Sequence, residues 1–160
     1  MDAEKFTKKS LEVIESCEKL AYEYNNQELT QAHLMYALVT VEDSLIAKLL
    51  TNMGINMDAF TGECEKLVAN RPKVSGGQLF TSPEFSKALI QAEKEAKQMG
   101  DDYISVEHIF LGLLEKADKD IKRVINAYGI TRGKFLEVLA NIRGNRKVES
   151  DNPEDTYDAL

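Results

Sequence analysis

Residues 29–39 read LTQAHLMYALV, and residues 103–114 read YISVEHIFLGLL. In each, a hydroxyl residue (Thr30, Ser105) is followed three positions later by a histidine (His33, His108) and then by an apolar run. A Thr or Ser ahead of such a run is an N-cap signal, because its side-chain oxygen can accept one of the unpaired N–H groups of the first turn. The histidines are 75 residues apart, and a shift of 75 aligns far more than histidine. Glu18, Lys19, Ala21, Leu38, Asp43, Gly54, Ile55 and Phe60 fall on identical residues at 93, 94, 96, 113, 118, 129, 130 and 135. Apolar stripes follow, with Ile14, Cys17, Ala21 and Tyr24 over Leu89, Ala92, Ala96 and Met99. Gapless agreement over about residues 7–67 marks a tandem duplication of one four-helix unit.

Helix boundaries come from the same punctuation. Thr7, Thr30, Asp43, Asn56, Ser82, Ser105, Asp118 and Thr131 each precede an apolar-periodic run, while Gly54, Gly100 and Gly129 follow one. Pro83 suits the first helical position after Ser82. No run of alternating β-branched residues stands out, so the expected fold is all-α: two four-helix units, eight helices in all. The expected domain is 1–148, with repeat one at about 5–69, repeat two at about 80–145, and residues 70–81 (NRPKVSGGQLFT) as the hinge.

The 160 residues carry 27 acids and 20 bases, a net charge of −7. Five of the acids lie in residues 149–160, so the rest of the chain is nearly balanced at −2. The stretch 149–160 therefore reads as an acidic, solvated linker, whose removal should leave stability nearly unchanged. An acidic chain without basic clusters argues against nucleic acid or an anionic membrane as partner. No apolar stretch approaches the ~20 residues of a spanning helix, and the start lacks a signal-peptide core, so a cytoplasmic protein is expected.

The duplication tests each chemically interesting residue against its counterpart. Cys17 aligns with Ala92 and Cys64 with Leu139, so both cysteines read as small core hydrophobes rather than disulfide partners or nucleophiles. His33 and His108 occupy the capping-box position usually held by Glu or Gln, which makes satisfied structural histidines the expectation. No metal-ligand spacing and no phosphate loop occurs, and the mixed charges, Glu93 and Glu95 with Lys94 and Lys97 among them, read as exposed helix faces. Without a catalytic constellation, the chain reads as an interaction module rather than an enzyme.

Its EKFT at residues 4–7, the two quoted stretches, and the GI pairs at 54–55 and 129–130 together resemble the N-terminal domain of the Clp/Hsp100 AAA+ unfoldases. The resemblance covers about residues 4–145, and the NRKVESDNPEDTYDAL end is similar to the junction that leads into the first ATPase module of the ClpB branch. It implies a substrate-binding appendage of a homohexameric, ATP-driven disaggregase that captures unfolded or aggregated polypeptide, possesses no cofactor of its own, and belongs to a parent that uses ATP and magnesium. It also implies three polar positions near a groove between the repeats: Thr7, Asp101 and Glu107. Each has a plain structural reading beside the functional one, as an N-cap, a turn residue and a first-turn acid favoured by the helix dipole. Family positions that are apolar elsewhere are Gln91, Glu95 and His108 here, so the apolar lining is left unassigned. ClpC-type domains carry paired glutamates at the helix starts; Ala32 breaks that pair here, which favours the ClpB branch. The alternatives are an adaptor-docking domain of a proteolytic ClpC or ClpA type unfoldase, and a freestanding modulator of such a machine. The isolated domain is expected to be monomeric.

Overall fold

A computed structural model of the chain describes residues 2–154. Among these, eight α-helices follow one another: α1 (Lys8–Glu23), α2 (Gln31–Thr40), α3 (Leu45–Asn52), α4 (Met57–Ala69), α5 (Pro83–Gln98), α6 (Val106–Glu115), α7 (Lys119–Ala127) and α8 (Arg132–Arg143). A 3-10 turn at Ala3–Lys5 precedes them. Seven of the eight expected N-caps stand. The exception is α3, where Asp43 turns the chain at φ 55 and Ser44 is the cap. Ser44 Oγ donates to Leu38 C=O at 2.5 Å and accepts from Ala47 N–H at 3.0 Å, so one hydroxyl ties the end of α2 to the start of α3. An aspartate could accept but not donate.

Two short strands supplement the all-α expectation, β1 (Glu28–Leu29) and β2 (Phe80–Thr81), paired in parallel with Leu29 opposite Thr81. A second parallel bridge joins Phe6 to Ile104. The 75-residue offset turns one pairing into the other with the repeats exchanged, so the two units are related by a pseudo-two-fold axis. Correspondingly, Thr7 N–H donates to Ile104 C=O at 3.0 Å and Ser82 N–H to Leu29 C=O at 2.9 Å. The N-cap of each long helix is thus bonded to the segment that leads into the inner helix of the other repeat.

α2 and α6 are those inner helices. Eight of the ten residues in each are buried, which requires a surface apolar nearly all round. Phe110 on α6 packs against Phe135 on α8 with ring centroids 4.5 Å apart, and Phe60 meets Tyr128 edge-on across the repeats at 5.2 Å. At equivalent helix crossings, Val13 and Ala37 of repeat one correspond to Ala88 and Gly112 of repeat two. The smaller pair lets α5 and α6 approach until a Cβ on Gly112 would stand 2.2 Å from the Ala88 carbonyl oxygen. Cys17 and Cys64 are free and buried, and burial pushes both thiols up, Cys64 to about 12, which leaves them unreactive.

Val148, the last residue of the expected domain, is buried with it, and the linker expected to follow touches the body at Asp151, Pro153 and Glu154 while Glu149, Ser150 and Asn152 stay exposed. Val148 is fully buried, Glu154 is 5% exposed, and the Asp151 carbonyl accepts the Lys8 N–H at 2.7 Å. Composition counted this segment's charges; it could not register that the first turn of α1 holds N–H groups in need of acceptors. The remaining residues of the expected linker, 155–160, lie outside the described residues.

Candidate functional site

The starts of α1 and α6 converge at the repeat boundary, each bringing its cap. Thr7 Oγ1 accepts from Ser10 N–H at 3.1 Å, and Ser10 Oγ donates to Ile104 C=O at 2.9 Å. On α6, His108 Nδ1 accepts the Ser105 N–H at 2.9 Å. A nitrogen that accepts from an amide carries no proton, so Nε2–H donates, and it reaches Asp101 Oδ2 at 2.7 Å. His33 repeats the arrangement in the first unit, with Thr30 N–H at 3.0 Å and Asn26 Oδ1 at 2.8 Å. Burial and the Arg71 charge hold His33 down at about 4. The histidines are structural, as their capping-box position indicates.

The repeats differ in charge at this point. Asn26, Ala32 and Val68 of repeat one correspond to Asp101, Glu107 and Arg143 of repeat two, where a buried ionic cluster replaces a neutral one. Arg143 donates to Asp101 Oδ1, Val148 N–H reaches the same oxygen at 3.0 Å, and Arg143 Nη1 lies 3.9 Å from Glu107 Oε2. Burial pushes Asp101 up, but the hydrogen bonds from His108, Val148 N–H and Arg143 outweigh it and hold the carboxyl below its ordinary value. Ser105 Oγ donates to Glu107 Oε1, while Glu107 Oε2 is buried with no hydrogen-bond partner.

Thr7, Asp101 and Glu107 are therefore brought into one neighbourhood, and all three are covered, with Thr7 and Glu107 fully buried and Asp101 8% exposed. The cover is the segment after α8. Glu154 Oε2 accepts from Thr7 Oγ1 at 2.9 Å and from the Val106 N–H at 3.3 Å. Burial first, and then the Glu107 charge, raise the Glu154 carboxyl to about 7. Arg143 and Glu154 had no signal in the sequence: Arg143 stands opposite a valine in the repeat, and Glu154 sits in an acidic run. Glu95 also differs from its reading as an exposed acid. It is 1% exposed and held by Arg132 at 2.5 and 3.0 Å and by Gln91 at 2.8 Å, so it braces α5 against α8 rather than lining an open groove.

The raised Glu154 has a definite pH consequence. Its folded value of about 7 lies above the ordinary 4.5, so the folded chain holds this proton more tightly than the unfolded chain does. The stabilisation is complete below 4.5 and is lost as pH rises through about 7. Urea denaturation at pH 5 and pH 8 should show the wild type losing about 1–3 kcal/mol relative to Glu154→Gln, which does not titrate. Parallel pH profiles for the two proteins would contradict the placement of Glu154.

Three comparisons bear on this arrangement. Residues 5–128 match the family model described as the Clp repeat (R) N-terminal domain. The whole chain aligns with chaperone protein ClpB of Nitratidesulfovibrio vulgaris at 40% identity and with that of Clostridium tetani at 39%, in each case spanning 19% of the relative's length. Among solved structures, the Hsp104 N-terminal domain from Candida albicans superposes with a TM-score of 0.82 at 20% identity, covering 94% of this chain and 99% of that one. The N-terminal domain of ClpD from Arabidopsis thaliana shares the fold at a TM-score of 0.64 and 19% identity, over 86% of this chain and 96% of that one. A duplicated four-helix unit with matching inner-helix caps, similarity to ClpB chaperones along the whole of this chain and a family match that spans repeat one and most of repeat two lead to one conclusion: the chain belongs to the Clp repeat N-terminal domain family of the Clp/Hsp100 unfoldases.

Proposed function

We propose that this chain is the N-terminal substrate-capture domain of a cytoplasmic, ATP-driven ClpB-type disaggregase, binding unfolded or aggregated polypeptide and passing it to an ATPase ring. The observation that carries this reading is a stretch of polypeptide, residues 148–151, seated on Asp101, Asp102 and the start of α1 through hydrogen bonds of its main-chain groups. A groove that holds one stretch of chain by its main-chain groups accepts others with little regard to sequence, which is what capture of varied unfolded proteins requires. Thr7, Asp101 and Glu107 are its polar anchors. Weak binding suits the task, because substrate must be released to the motor, and six tethered copies would raise avidity without tight single sites. ATP and magnesium would be held by the parent's ATPase modules; this domain supplies recognition and no turnover.

Titrating the chain into fluorescently labelled α-casein, a permanently unfolded polypeptide, should raise anisotropy with a Kd of about 10 μM or weaker, or roughly −7 kcal/mol. A folded control such as native lysozyme should give no signal. Absence of casein binding at saturating concentrations would sink the proposal, and tight binding to a folded Clp adaptor with none to casein would point to adaptor docking instead.

A further inference from the structure

We propose that residues 148–154 are a built-in competitor: they lie in the groove between the repeats as a strap, and an extended polypeptide binds there by displacing it. This rests on the capture reading above and adds a regulatory element to it. The strap uses the atoms an incoming chain would need. The Val148 N–H donates to Asp101 Oδ1 at 3.0 Å and its carbonyl accepts the Asp102 N–H at 2.8 Å. The Asp151 carbonyl caps the Lys8 N–H at 2.7 Å, and the Glu154 carboxylate takes the Thr7 hydroxyl and the Val106 N–H. Thr7 and Glu107 are fully buried with the strap in place, so a ligand can reach them only when it leaves.

The duplication gives this segment a counterpart in repeat one. At the same place in repeat one runs the hinge, where the Pro72 carbonyl accepts from Asn26 Nδ2 at 3.2 Å and the Val74 N–H donates to Asn25 C=O at 2.8 Å. The hinge is held at both ends, by α4 and by β2 with α5. The strap leaves α8 at one end, and at the other Pro153 and Glu154 are helical and buried. At its far end hydrogen bonds to Thr7 and Val106 compete with charge repulsion. Glu154 Oε1 and Glu107 Oε2 are both buried without hydrogen-bond partners, two acids brought together, and burial and the Glu107 charge raise the Glu154 carboxyl. A cavity of about 240 Å³ lined by Lys8, Lys9, Glu12, Asn152 and Glu154 opens beside this end, where displacement can begin.

Two substitutions at one position move the strap in opposite directions. At pH 8, Glu154→Ala removes the bonds to Thr7 and Val106, whereas Glu154→Gln keeps both and removes the repulsion from Glu107. Amide hydrogen exchange at Lys8, whose N–H is bonded to the strap, reports opening without reference to any ligand, and labelled α-casein reports binding. Glu154→Ala should exchange about tenfold faster at Lys8 and bind casein about threefold more tightly, and Glu154→Gln should exchange more slowly and bind about threefold more weakly. Faster exchange in Glu154→Ala with unchanged casein affinity would overturn the competition. Unchanged exchange would overturn the role of Glu154 as its lock. Failure of casein to bind any variant, with exchange altered as expected, would instead remove the capture reading, and the competitor role with it.

Discussion

Gly112→Ala should lower the stability of this domain by about 3 kcal/mol, the upper end of overpacking costs, and its melting temperature by roughly 10 °C. On an exposed helix the same change would be favourable by close to 1 kcal/mol, because alanine is the better helix former. Here the new methyl would sit 2.2 Å from the Ala88 carbonyl oxygen and 3.0 Å from the Ala92 nitrogen, both backbone atoms of α5. No rotamer change relieves such a contact, so the two helices must separate and open the layer that holds Phe85, Phe110 and Phe135. Ala88→Gly should not rescue the variant, since the colliding atom is an oxygen of the main chain. The equivalent position of repeat one already carries Ala37, opposite Val13, so the restriction belongs to repeat two alone. Thermal denaturation of the single and double variants tests this. A Gly112→Ala protein as stable as wild type would show that α5 and α6 are further apart than described.

Arg143→Val carries the other large effect. Removing the guanidinium leaves Asp101 buried with a negative charge, stabilised by His108 and the Val148 N–H alone, and leaves Glu107 Oε2 with no cation within reach. Breaking one partner out of a buried ionic cluster costs about 3–5 kcal/mol, because the remaining charges have lost their compensation but not their burial. Repeat one shows what a neutral version looks like. Asp101→Asn, Glu107→Ala and Arg143→Val made together would reproduce its Asn26, Ala32 and Val68. The triple variant should recover stability to within about 1–2 kcal/mol of wild type, a strong coupling between the three sites. Denaturant titrations of the single and triple variants measure it. Simple addition of the single costs would mean that the charges act independently.

How much of this was legible beforehand follows from the range of each interaction. The histidines were readable because a capping box closes within three residues, and the duplication showed each one twice. Cys17 and Cys64 were readable as core because their counterparts are Ala92 and Leu139. The pseudo-two-fold pairing of Phe6 with Ile104 and Leu29 with Thr81 was not, since two-residue strands leave no alternating pattern. The site was half legible. Thr7, Asp101 and Glu107 entered through family resemblance, yet what surrounds them is contributed from far away: Arg143 lies 42 residues from Asp101, and Glu154 lies 147 from Thr7. Charge counting assigned Glu154 to solvent, because in isolation an acid next to Asn and Pro has no reason to be buried. Its burial comes from an open N–H on α6 and a hydroxyl on α1, which only the fold brings side by side.

The account stands most directly on where unfolded polypeptide touches this domain. Amide NMR of the isotopically labelled chain during titration with unlabelled α-casein answers it. Shifts should concentrate at Thr7, Lys8, Asp101, Val106, Glu107 and Val148, with the strap amides moving together with the cap amides as one is exchanged for the other. Shifts confined to residues that touch none of these, or no shifts at saturating casein, would contradict the capture site at the repeat boundary.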